Sequence, residues 1–315
     1  MLKDFKVGHY TNEEKGTGAT VIIAEEGAIA GVCVRGAAPA TRETDLLQDG
    51  KTVQKINAVV LSGGSAFGLE AASGVMQALY DDGIGYNAGK YRVPIVCGAS
   101  IYDLEYKEFA YPDKSAGYLA AKAAYTGNFE KGNIGGGTGA TISKIAGMGA
   151  AVKGGLGVQT YSQNNIEIAV FSVVNALGDI VKDGKIIAGA CDQNGKYLDA
   201  LSVFTAGGLF LQNQNTTITC IITNAKLTKE EANMLASLAH NGYALSLSPA
   251  HTPYDGDAIF IMSSGKVDAP FPLLAGVIPA LTAKAIQSVA EESYPISTQS
   301  NKLLMLAYKK LFKRK

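Results

Sequence analysis

The chain has 315 residues, a formal net charge of zero, 47% hydrophobic residues and 18% charged residues. The length allows a large core in one or two domains, and the composition excludes a disordered chain. The balanced charge gives no global attraction to nucleic acid or anionic membranes, so neither is expected as a partner. The four cysteines lack metal-ligand spacing and the first residues carry no apolar signal core, so a cytoplasmic protein without a metal is expected.

The first half of the chain alternates strand and helix patterns. Residues 20–24 and 31–34 predict two strands joined as a hairpin. Residues 58–61 predict a short buried strand, and residues 67–80 repeat apolar side chains at helical spacing. An alanine-rich helix is predicted over residues 115–125.

The second half contains three strand patterns and three helix patterns. The strands are predicted over residues 169–174, 217–222 and 258–262. A Thr-x-x-Glu capping box, Thr228 to Glu231, opens a helix that runs to about residue 240. The remaining helices are predicted over residues 273–292 and 298–312. This mixture indicates α/β layering, and because no Pro/Ser-rich linker divides the chain, a single domain is expected.

The segment from His251 to Asp257, His-Thr-Pro-Tyr-Asp-Gly-Asp, carries the most chemical information. If the bond before Thr252 is cut, Thr252 begins a new chain and carries both a hydroxyl nucleophile and a free α-amine. Such an amine titrates near ~7.7–8 and can act as general base for its own hydroxyl. A lone Thr-Pro pair usually only opens a turn before a strand, so the rest of the sequence must decide.

Several further blocks of sequence form one pattern. They are Val7-Gly-His9, Gly16-Thr-Gly-Ala-Thr20 and residues 35–47, 58–75, 94–96, 135–141 and 174–179. With the Thr252 segment, these blocks resemble the P1 (S58/DmpA-type) peptidase family in the family's own order. That family comprises L-aminopeptidase/D-esterase, the β-peptidyl aminopeptidases and the 6-aminohexanoate-oligomer endohydrolase of nylon degradation. The resemblance covers most of the chain from residue 7 to about residue 290.

The resemblance implies a single α/β domain over residues 1–315, built as a four-layer αββα sandwich. It also implies a self-processing N-terminal-nucleophile hydrolase that needs no cofactor and acts on small peptides or amides. Cleavage between His251 and Thr252 would give subunits 1–251 and 252–315, assembled as a homo-oligomer, a tetramer of processed units. Relatives carry Asn or Gly before the cut where this chain has His251. An uncleaved small-molecule binding or structural protein is therefore the alternative.

Two asparagines are candidates for stabilising an oxyanion. By resemblance, Thr252 is the nucleophile and α-amine base, and Asn175 is the oxyanion-hole asparagine. Asn175 ends a predicted strand, where its side-chain amide can donate to a developing negative charge. Asn224 ends the next predicted strand in a similar way and is the second candidate.

Charged residues complete the predicted site. By resemblance, Lys144 matches a catalytic-site lysine of the nylon-hydrolase-like members, and Asp255 and Asp257 match a loop just after the nucleophile. Relatives also orient the nucleophile with a further acidic or hydroxyl pair downstream. Asp268 and residues 291–292, both glutamates, are the candidates for that role.

A glycine cluster leaves one further alternative. Residues 135–140 fit the pattern G-x-G-x-x-A, which would allow a nucleotide-binding α/β protein. The residues before the cluster do not form a convincing strand pattern, and no G-K-[ST] follows. These glycines are expected instead to allow close backbone packing around the site and to supply N–H donors.

Overall fold

The structure is a computed structural model that describes residues 2–192, 194–207 and 215–296. The strands of the first half are β1 (Lys6–Asn12), β2 (Thr17–Val34), β3 (Thr41–Arg42), β4 (Lys55–Ser62), β5 (Tyr86–Ala88), β6 (Tyr91–Val93), β7 (Val96–Ser100), β8 (Thr141–Ile142) and β9 (Val152–Lys153). Those of the second half are β10 (Gly155–Gln163), β11 (Ile166–Asn175), β12 (Asp179–Lys182), β13 (Lys185–Ala188), β14 (Thr216–Ala225), β15 (Leu247–Ser248) and β16 (Ala258–Val267). The helices are α1 (Ser65–Gly68), α2 (Ala71–Asp81), α3 (Lys114–Lys122), α4 (Ala200–Thr205), α5 (Lys229–Ser246) and α6 (Phe271–Ser288). The predicted helix over residues 298–312 lies outside the described residues.

One mixed sheet of nine strands organises the molecule. Its strand order is β10-β11-β14-β16-β2-β4-β7-β3, and β1 pairs with the N-terminal part of β2, residues 17–23. The two central strands, β14 and β16, run parallel to each other. Each is flanked by an antiparallel neighbour, β11 on one side and β2 on the other. The predicted strands at residues 217–222 and 258–262 therefore lie side by side in the middle of the sheet.

The sheet folds over, so that its two halves face each other across a shared core. Leu61 of β4, Phe171 of β11 and Phe260 of β16 all belong to that core. The outer face of the β11, β14 and β16 half packs against α5 and α6. The outer face of the β2 and β4 half packs against α2 and α3. Because side chains alternate across each strand, one sheet serves an inner and an outer layer. The four-layer αββα order is confirmed, with both β layers drawn from one sheet.

Strand β2 differs from its prediction. Residues 20–24 and 31–34 belong to one strand of 18 residues and not to a hairpin. Strand β4 pairs with residues 19–23 and 28–29 of β2, with a register shift between Ile23 and Ala28, and residues 29–34 pair with β16. Gly27, at φ +74°, supplies the left-handed residue that such an irregularity requires. The glycine therefore marks a bulge within a continuous strand, where the sequence pattern indicated a reversal of direction.

Helix α5 begins as predicted and ends later. Thr228 accepts from the Glu231 N–H at 3.1 Å, and the Glu231 carboxylate accepts from the Thr228 N–H at 2.9 Å, so the capping box is confirmed. The helix continues to Ser246 because its apolar face, which includes Ala239 and Tyr243, stays buried against the sheet. The added turns bring the end of α5 close to residue 251.

The apolar segment Phe271–Glu292 is long enough and hydrophobic enough to cross a membrane, and 44% of its apolar window is buried within the protein. Its helix α6 packs against α5, β10 and β11. Leu274, Ile278 and Leu281 belong to the outer-layer core. Pro279 lies inside this helix. Helix α6 thus serves as a covering helix of the sandwich.

Candidate active site

Polar side chains gather at one edge of the large sheet. Strand β14 begins at Thr216, directly opposite Asn175 at the end of β11. Because β16 runs parallel to β14, the loop of residues 255–257 that precedes β16 reaches the same edge. An isolated bridge joins Asn215 to Asp255 there. The starts of two central strands and the end of a third therefore meet, and their side chains form the candidate site.

Thr216 is the hydroxyl residue that the sequence analysis missed. It is buried, and its Oγ1 donates to the carbonyl oxygen of the preceding residue, Asn215. The same carbonyl accepts from the Gly256 N–H at 3.0 Å. The bond before Thr216 therefore has a hydroxyl beside its carbonyl group and a backbone donor on its oxygen. One signal was present in the sequence: Thr216 follows an asparagine, one of the two residues that the family resemblance places before the cut, and Thr216 opens a buried strand.

Asn175 is held with a defined orientation of its amide. The oxygen Oδ1 accepts from the Thr141 N–H at 3.0 Å and from Lys144 Nζ at 2.8 Å. The nitrogen Nδ2 donates to the Tyr102 carbonyl at 3.2 Å. Because both of these neighbours are donors, the atom that they contact must be the amide oxygen. The other atom of the amide, Nδ2, is therefore the hydrogen-bond donor. An asparagine fixed in this way can donate to an oxyanion near Thr216.

Lys144 lies buried beneath Asn175. Besides the bond to Oδ1, its Nζ donates to the main-chain oxygens of Thr141 and Asn175, both at 2.9 Å. Burial lowers the pKa of Lys144 to about 7, while the negative charge of Asp255 acts in the opposite direction. The amine therefore titrates near neutral pH. Lys144 fixes Asn175 and places a titratable amine within the electrostatic field of the site.

Asp255 is a buried carboxylate with two bonds from one neighbour. Its Oδ2 accepts from the Thr252 N–H at 2.7 Å and from Thr252 Oγ1 at 2.6 Å. Burial and then the charge of Asp257 raise its pKa to about 6, against the bonds from Thr252 and the charge of Lys144. Asp255 therefore changes its charge close to neutral pH, which is typical of a group that takes part in proton transfer.

Asp257 anchors the backbone next to Thr216. Its Oδ1 accepts from the Thr217 N–H at 2.7 Å, and its Oδ2 is 2.8 Å from Nδ1 of His251. The main-chain oxygen of Asp257 accepts from the N–H groups of Arg35 and Gly36. The aspartate thus ties β14, the 255–257 loop and the end of β2 together.

Thr252, the predicted nucleophile, lies beside this site but is bound differently. Its N–H and its hydroxyl both donate to Asp255, and its carbonyl accepts from the Asp255 N–H at 3.1 Å. These three bonds close a compact turn. Within the described ranges no donor reaches the His251 carbonyl oxygen. The geometry gives Thr252 a positioning role toward Asp255 and makes Thr216 the better-placed hydroxyl.

Three candidates lie away from the site. Asn224 is at the far end of β14, where its side chain binds the backbone of the β10–β11 hairpin. Asp268 follows the far end of β16 and pairs with Lys226 on the surface at 2.9 Å. Glu291 is exposed and pairs with Lys131. Asn224 and Asp268 are therefore corrected, because residues eight to ten positions along a strand lie at its opposite edge.

The glycine cluster has a structural role. Gly135–Gly137 form one turn of 3₁₀ helix, with no strand leading into it. The N–H of Gly135 donates to Thr11 Oγ1 at 2.9 Å, and that of Gly136 donates to Thr20 Oγ1 at 3.1 Å. These donors are satisfied within the protein, and the strand-turn-helix of a dinucleotide site is absent from this segment. The glycine cluster therefore lacks the motif on which the nucleotide-binding alternative depended.

The four-layer arrangement is shared with solved aminopeptidases. A β-aminopeptidase of Burkholderia sp. superposes with a TM-score of 0.68 at 18% identity, over 99% of this chain and 93% of that one. The L-aminopeptidase D-Ala-esterase/amidase of Ochrobactrum anthropi, described as a variant of the Ntn hydrolase fold, gives 0.68 at 16% identity, over 98% and 93%. At these identities the likeness establishes the fold alone, which is that of the Ntn-hydrolase-type aminopeptidases.

Sequence similarity then gives the family. Peptidase family S58 matches residues 2–300, and the chain belongs to this family. An uncharacterized aminopeptidase of Mycobacterium tuberculosis is 35% identical over 285 residues, covering 84% of this chain and 80% of that protein. The 6-aminohexanoate-oligomer endohydrolase of Kocuria sp. is 33% identical over 285 residues, covering 84% and 74%. The family resemblance drawn from the sequence blocks is confirmed.

Proposed function

We propose that the protein is a self-processing threonine hydrolase, an aminopeptidase or amidase for small substrates, and that Thr216 is its nucleophile. The observation that carries the proposal is the position of the Thr216 hydroxyl against the Asn215 carbonyl, whose oxygen also accepts the Gly256 N–H at 3.0 Å. Membership of a peptidase family supports the hydrolytic activity. The buried Asp255, bridged to Asn215, and the buried Lys144 amine, bound to Asn175, have pKa values near neutral pH and support proton transfer.

Self-cleavage follows from this geometry in two steps. Thr216 Oγ1 forms a bond to the carbonyl carbon of Asn215, and the Gly256 N–H stabilises the negative charge on the oxygen. The hydroxyl proton passes to the Thr216 nitrogen and the carbon–nitrogen bond breaks, which leaves an ester between Asn215 and Thr216. Water then hydrolyses the ester. The products are the Asn215 carboxylate and a Thr216 that carries a free α-amine and a free hydroxyl.

Turnover of substrate uses the same two groups of Thr216. The new α-amine accepts the Oγ1 proton while Oγ1 attacks the substrate carbonyl, and the amine then gives the proton to the leaving nitrogen. Asn175 donates through Nδ2 to the oxyanion, and Lys144 holds Asn175 in place. Water releases the acyl group by the reverse sequence of proton transfers. No cofactor enters any of these steps.

A cut before Thr252 is the second candidate for self-processing. Thr252 Oγ1 lies 2.6 Å from Asp255 Oδ2, and this carboxylate could take the hydroxyl proton. The cut would leave pieces 1–251 and 252–315. The Thr216 cut would leave pieces 1–215 and 216–315, so the two mechanisms differ in fragment mass.

Intact mass under denaturing conditions, measured on wild type, Thr216→Ala and Thr252→Ala, tests the proposal. We expect fragments 1–215 and 216–315 in wild type and Thr252→Ala, and an uncut chain in Thr216→Ala. Fragments that disappear only in Thr252→Ala would move the nucleophile to Thr252. A single chain of about 32.8 kDa in all three would overturn self-processing and favour the uncleaved binding protein.

The substrate class is proposed from the relatives. The proteins of similar sequence are named as aminopeptidases and as an endohydrolase of 6-aminohexanoate oligomers, all of which would break amide bonds. We therefore expect hydrolysis of small amides with an unsubstituted amino end. A screen of L-amino-acid, β-amino-acid and 6-aminohexanoate anilides, with Thr216→Ala as the blank, ranks these classes.

A further inference from the structure

Three aromatic rings pack behind the candidate nucleophile. His240 and Tyr243 project from α5, and His251 stacks on Tyr243 with ring centroids 5.5 Å apart and 19° between the planes. The edge of His240 meets His251 at 4.8 Å. Tyr243 is fully buried, and the side chain of His251 is 19% exposed. We call these three residues the ring cluster.

The ring cluster contacts both backbone groups of Thr217, the residue after Thr216. The contact to the N–H runs through Asp257, and the contact to the carbonyl is direct. His251 donates from Nδ1 to Asp257 Oδ2, since a carboxylate can only accept, and Asp257 Oδ1 accepts from the Thr217 N–H at 2.7 Å. The hydroxyl of Tyr243 donates to the Thr217 carbonyl at 3.0 Å. The N–H of Thr217 belongs to the peptide that joins it to Thr216. Small movements of this peptide would therefore move the Thr216 hydroxyl.

His251 is held in place at some cost. Its φ is +53°, in the left-handed region that residues other than glycine seldom adopt. Its Nε2 is buried without a hydrogen-bond partner in the part of the chain that the structure describes. Both features destabilise the folded protein. Among the described residues, the His251 ring makes one hydrogen bond, from Nδ1 to Asp257. This bond is the interaction that offsets the two destabilising features.

We propose that His251 is a positioning residue for Thr216, acting through Asp257 and the Thr217 N–H. The inference rests on the proposed function, because it takes Thr216 as the nucleophile. In this proposal His251 holds the backbone next to Thr216, whereas the sequence predicted it as the residue before a cut. Only the Nδ1 edge of the ring has that task.

Two amide substitutions separate the edges of the ring. In His251→Asn the amide nitrogen takes the place of Nδ1, and in His251→Gln it takes the place of Nε2. His9 offers a matched control, since its Nδ1 bonds Thr20 Oγ1 at 3.0 Å and its Nε2 is also buried without a partner among the described residues. His9→Asn therefore removes a comparable ring without touching Asp257. Rates of self-cleavage, kcat and KM for a small anilide, and melting temperature are measured for each.

We expect His251→Gln to lower kcat and the self-cleavage rate by about 10- to 100-fold with KM changed less than about threefold. His251→Asn should restore kcat to within about fivefold of wild type, and His9→Asn should leave it within about twofold. Equal loss in the Asn and Gln variants, or failure of both to fold, would overturn the positioning role and leave a packing role.

The fragment masses keep this test separate from the proposed function. If wild type is cut before Thr216 and the two His251 variants behave alike, only the positioning role fails. If wild type is uncut and Thr216→Ala is as active as wild type, the proposed function fails, and the positioning role fails with it.

Discussion

Thr216 and Thr252 lie at the same edge of the sheet, and both are buried, yet they are bound in opposite ways. The Thr216 hydroxyl faces a carbonyl group that a backbone N–H already polarises. The hydroxyl and the N–H of Thr252 both face a carboxylate and close a turn. Thr216 opens one apolar strand and Thr252 precedes another, so local sequence does not separate them. The difference teaches that the contacts of each hydroxyl, and not the sequence around it, distinguish the two candidate nucleophiles.

The strongest way to break this comparison is to remove each hydroxyl while keeping its shape. Thr216→Val should lower amide hydrolysis by about 10⁴-fold or more, because no other group supplies both nucleophile and amine base. Thr216→Ser should retain cleavage and measurable turnover. Thr252→Val is the matched control and should retain the cut before residue 216. A larger loss of turnover in Thr252→Val than in Thr216→Val would reverse the assignment of the two residues.

The Asp255 carboxylate binds Thr252, and its backbone bridges Asn215, the residue before Thr216, so the charge of Asp255 sharpens the comparison. Asp255→Asn keeps an acceptor oxygen for Thr252 but removes the charge, and we expect a loss in kcat of about 100-fold. Burial raises the pKa of Asp255 to about 6, so wild-type activity should fall as the pH drops through that value and the carboxylate is protonated. The pH–rate profile of the variant should lack this acidic limb. An unchanged limb would assign it to another group.

Gly256 allows a perturbation on the Thr216 side alone. A Cβ at this position would lie 2.8 Å from Thr216 Oγ1 and 2.7 Å from the Ala38 carbonyl oxygen. We expect Gly256→Ala to slow self-cleavage about tenfold, because the hydroxyl must shift from its place beside the scissile carbonyl. A methyl group added at Gly276 on α6 would meet no described atom within 4 Å, so Gly276→Ala is the control. A time course of fragment formation by mass measures both, and equal rates would contradict the crowding argument.

Lys144 gives the smallest effect, one on stability. Burial lowers the pKa of Lys144 to about 7 from 10.5, so between these values the unfolded chain binds more protons than the folded protein. Stability should therefore rise with pH across that window, with a contribution on the order of 2 kcal/mol between pH 7 and pH 9. Lys153, another buried lysine whose pKa is lowered to about 7, adds a similar rise, so Lys144→Met should show a smaller rise than wild type. Urea unfolding at the two pH values, with both proteins in the uncut Thr216→Ala background, measures it. Identical pH dependence would show that Lys144 keeps its usual pKa when folded.

Much of the site could be predicted from the sequence, and one residue could not. Asn175, Lys144, Asp255 and Asp257 were identified because their sequence blocks resemble a known family, and the structure brings them together. The choice of Thr216 depends on contact between Asn215 and the 255–257 loop, about forty residues later. The spacing of apolar residues along the chain does not indicate a contact between segments so far apart in sequence. The asparagine before Thr216 was the available local signal, and the richer motif around Thr252 outweighed it.

The misjudged elements have a related physical cause. Gly27 sits in a left-handed conformation in a bulge, where the same residue in a tight turn would have made a hairpin. Asn224 and Asn175 both lie near strand ends, and the direction of each strand determines which end meets the candidate nucleophile. Both distinctions depend on how strands pair across the sheet. Pairing is a long-range property, and single-chain patterns report mainly local order.

The position of β14 and β16 has a consequence for the life of the processed protein. A cut before Thr216 would leave these two central strands on the shorter piece, with α5 and α6, while β11 and β2 on either side belong to the longer piece. The two strands of the shorter polypeptide would then lie between strands of the longer one. Separation of the two pieces would break the β11–β14 and β16–β2 pairings in the middle of the sheet. The cleaved protein should therefore migrate as one species when native and as two bands when denatured. Maturation would be irreversible in practice, since pieces separated by denaturant must find each other again before either can fold.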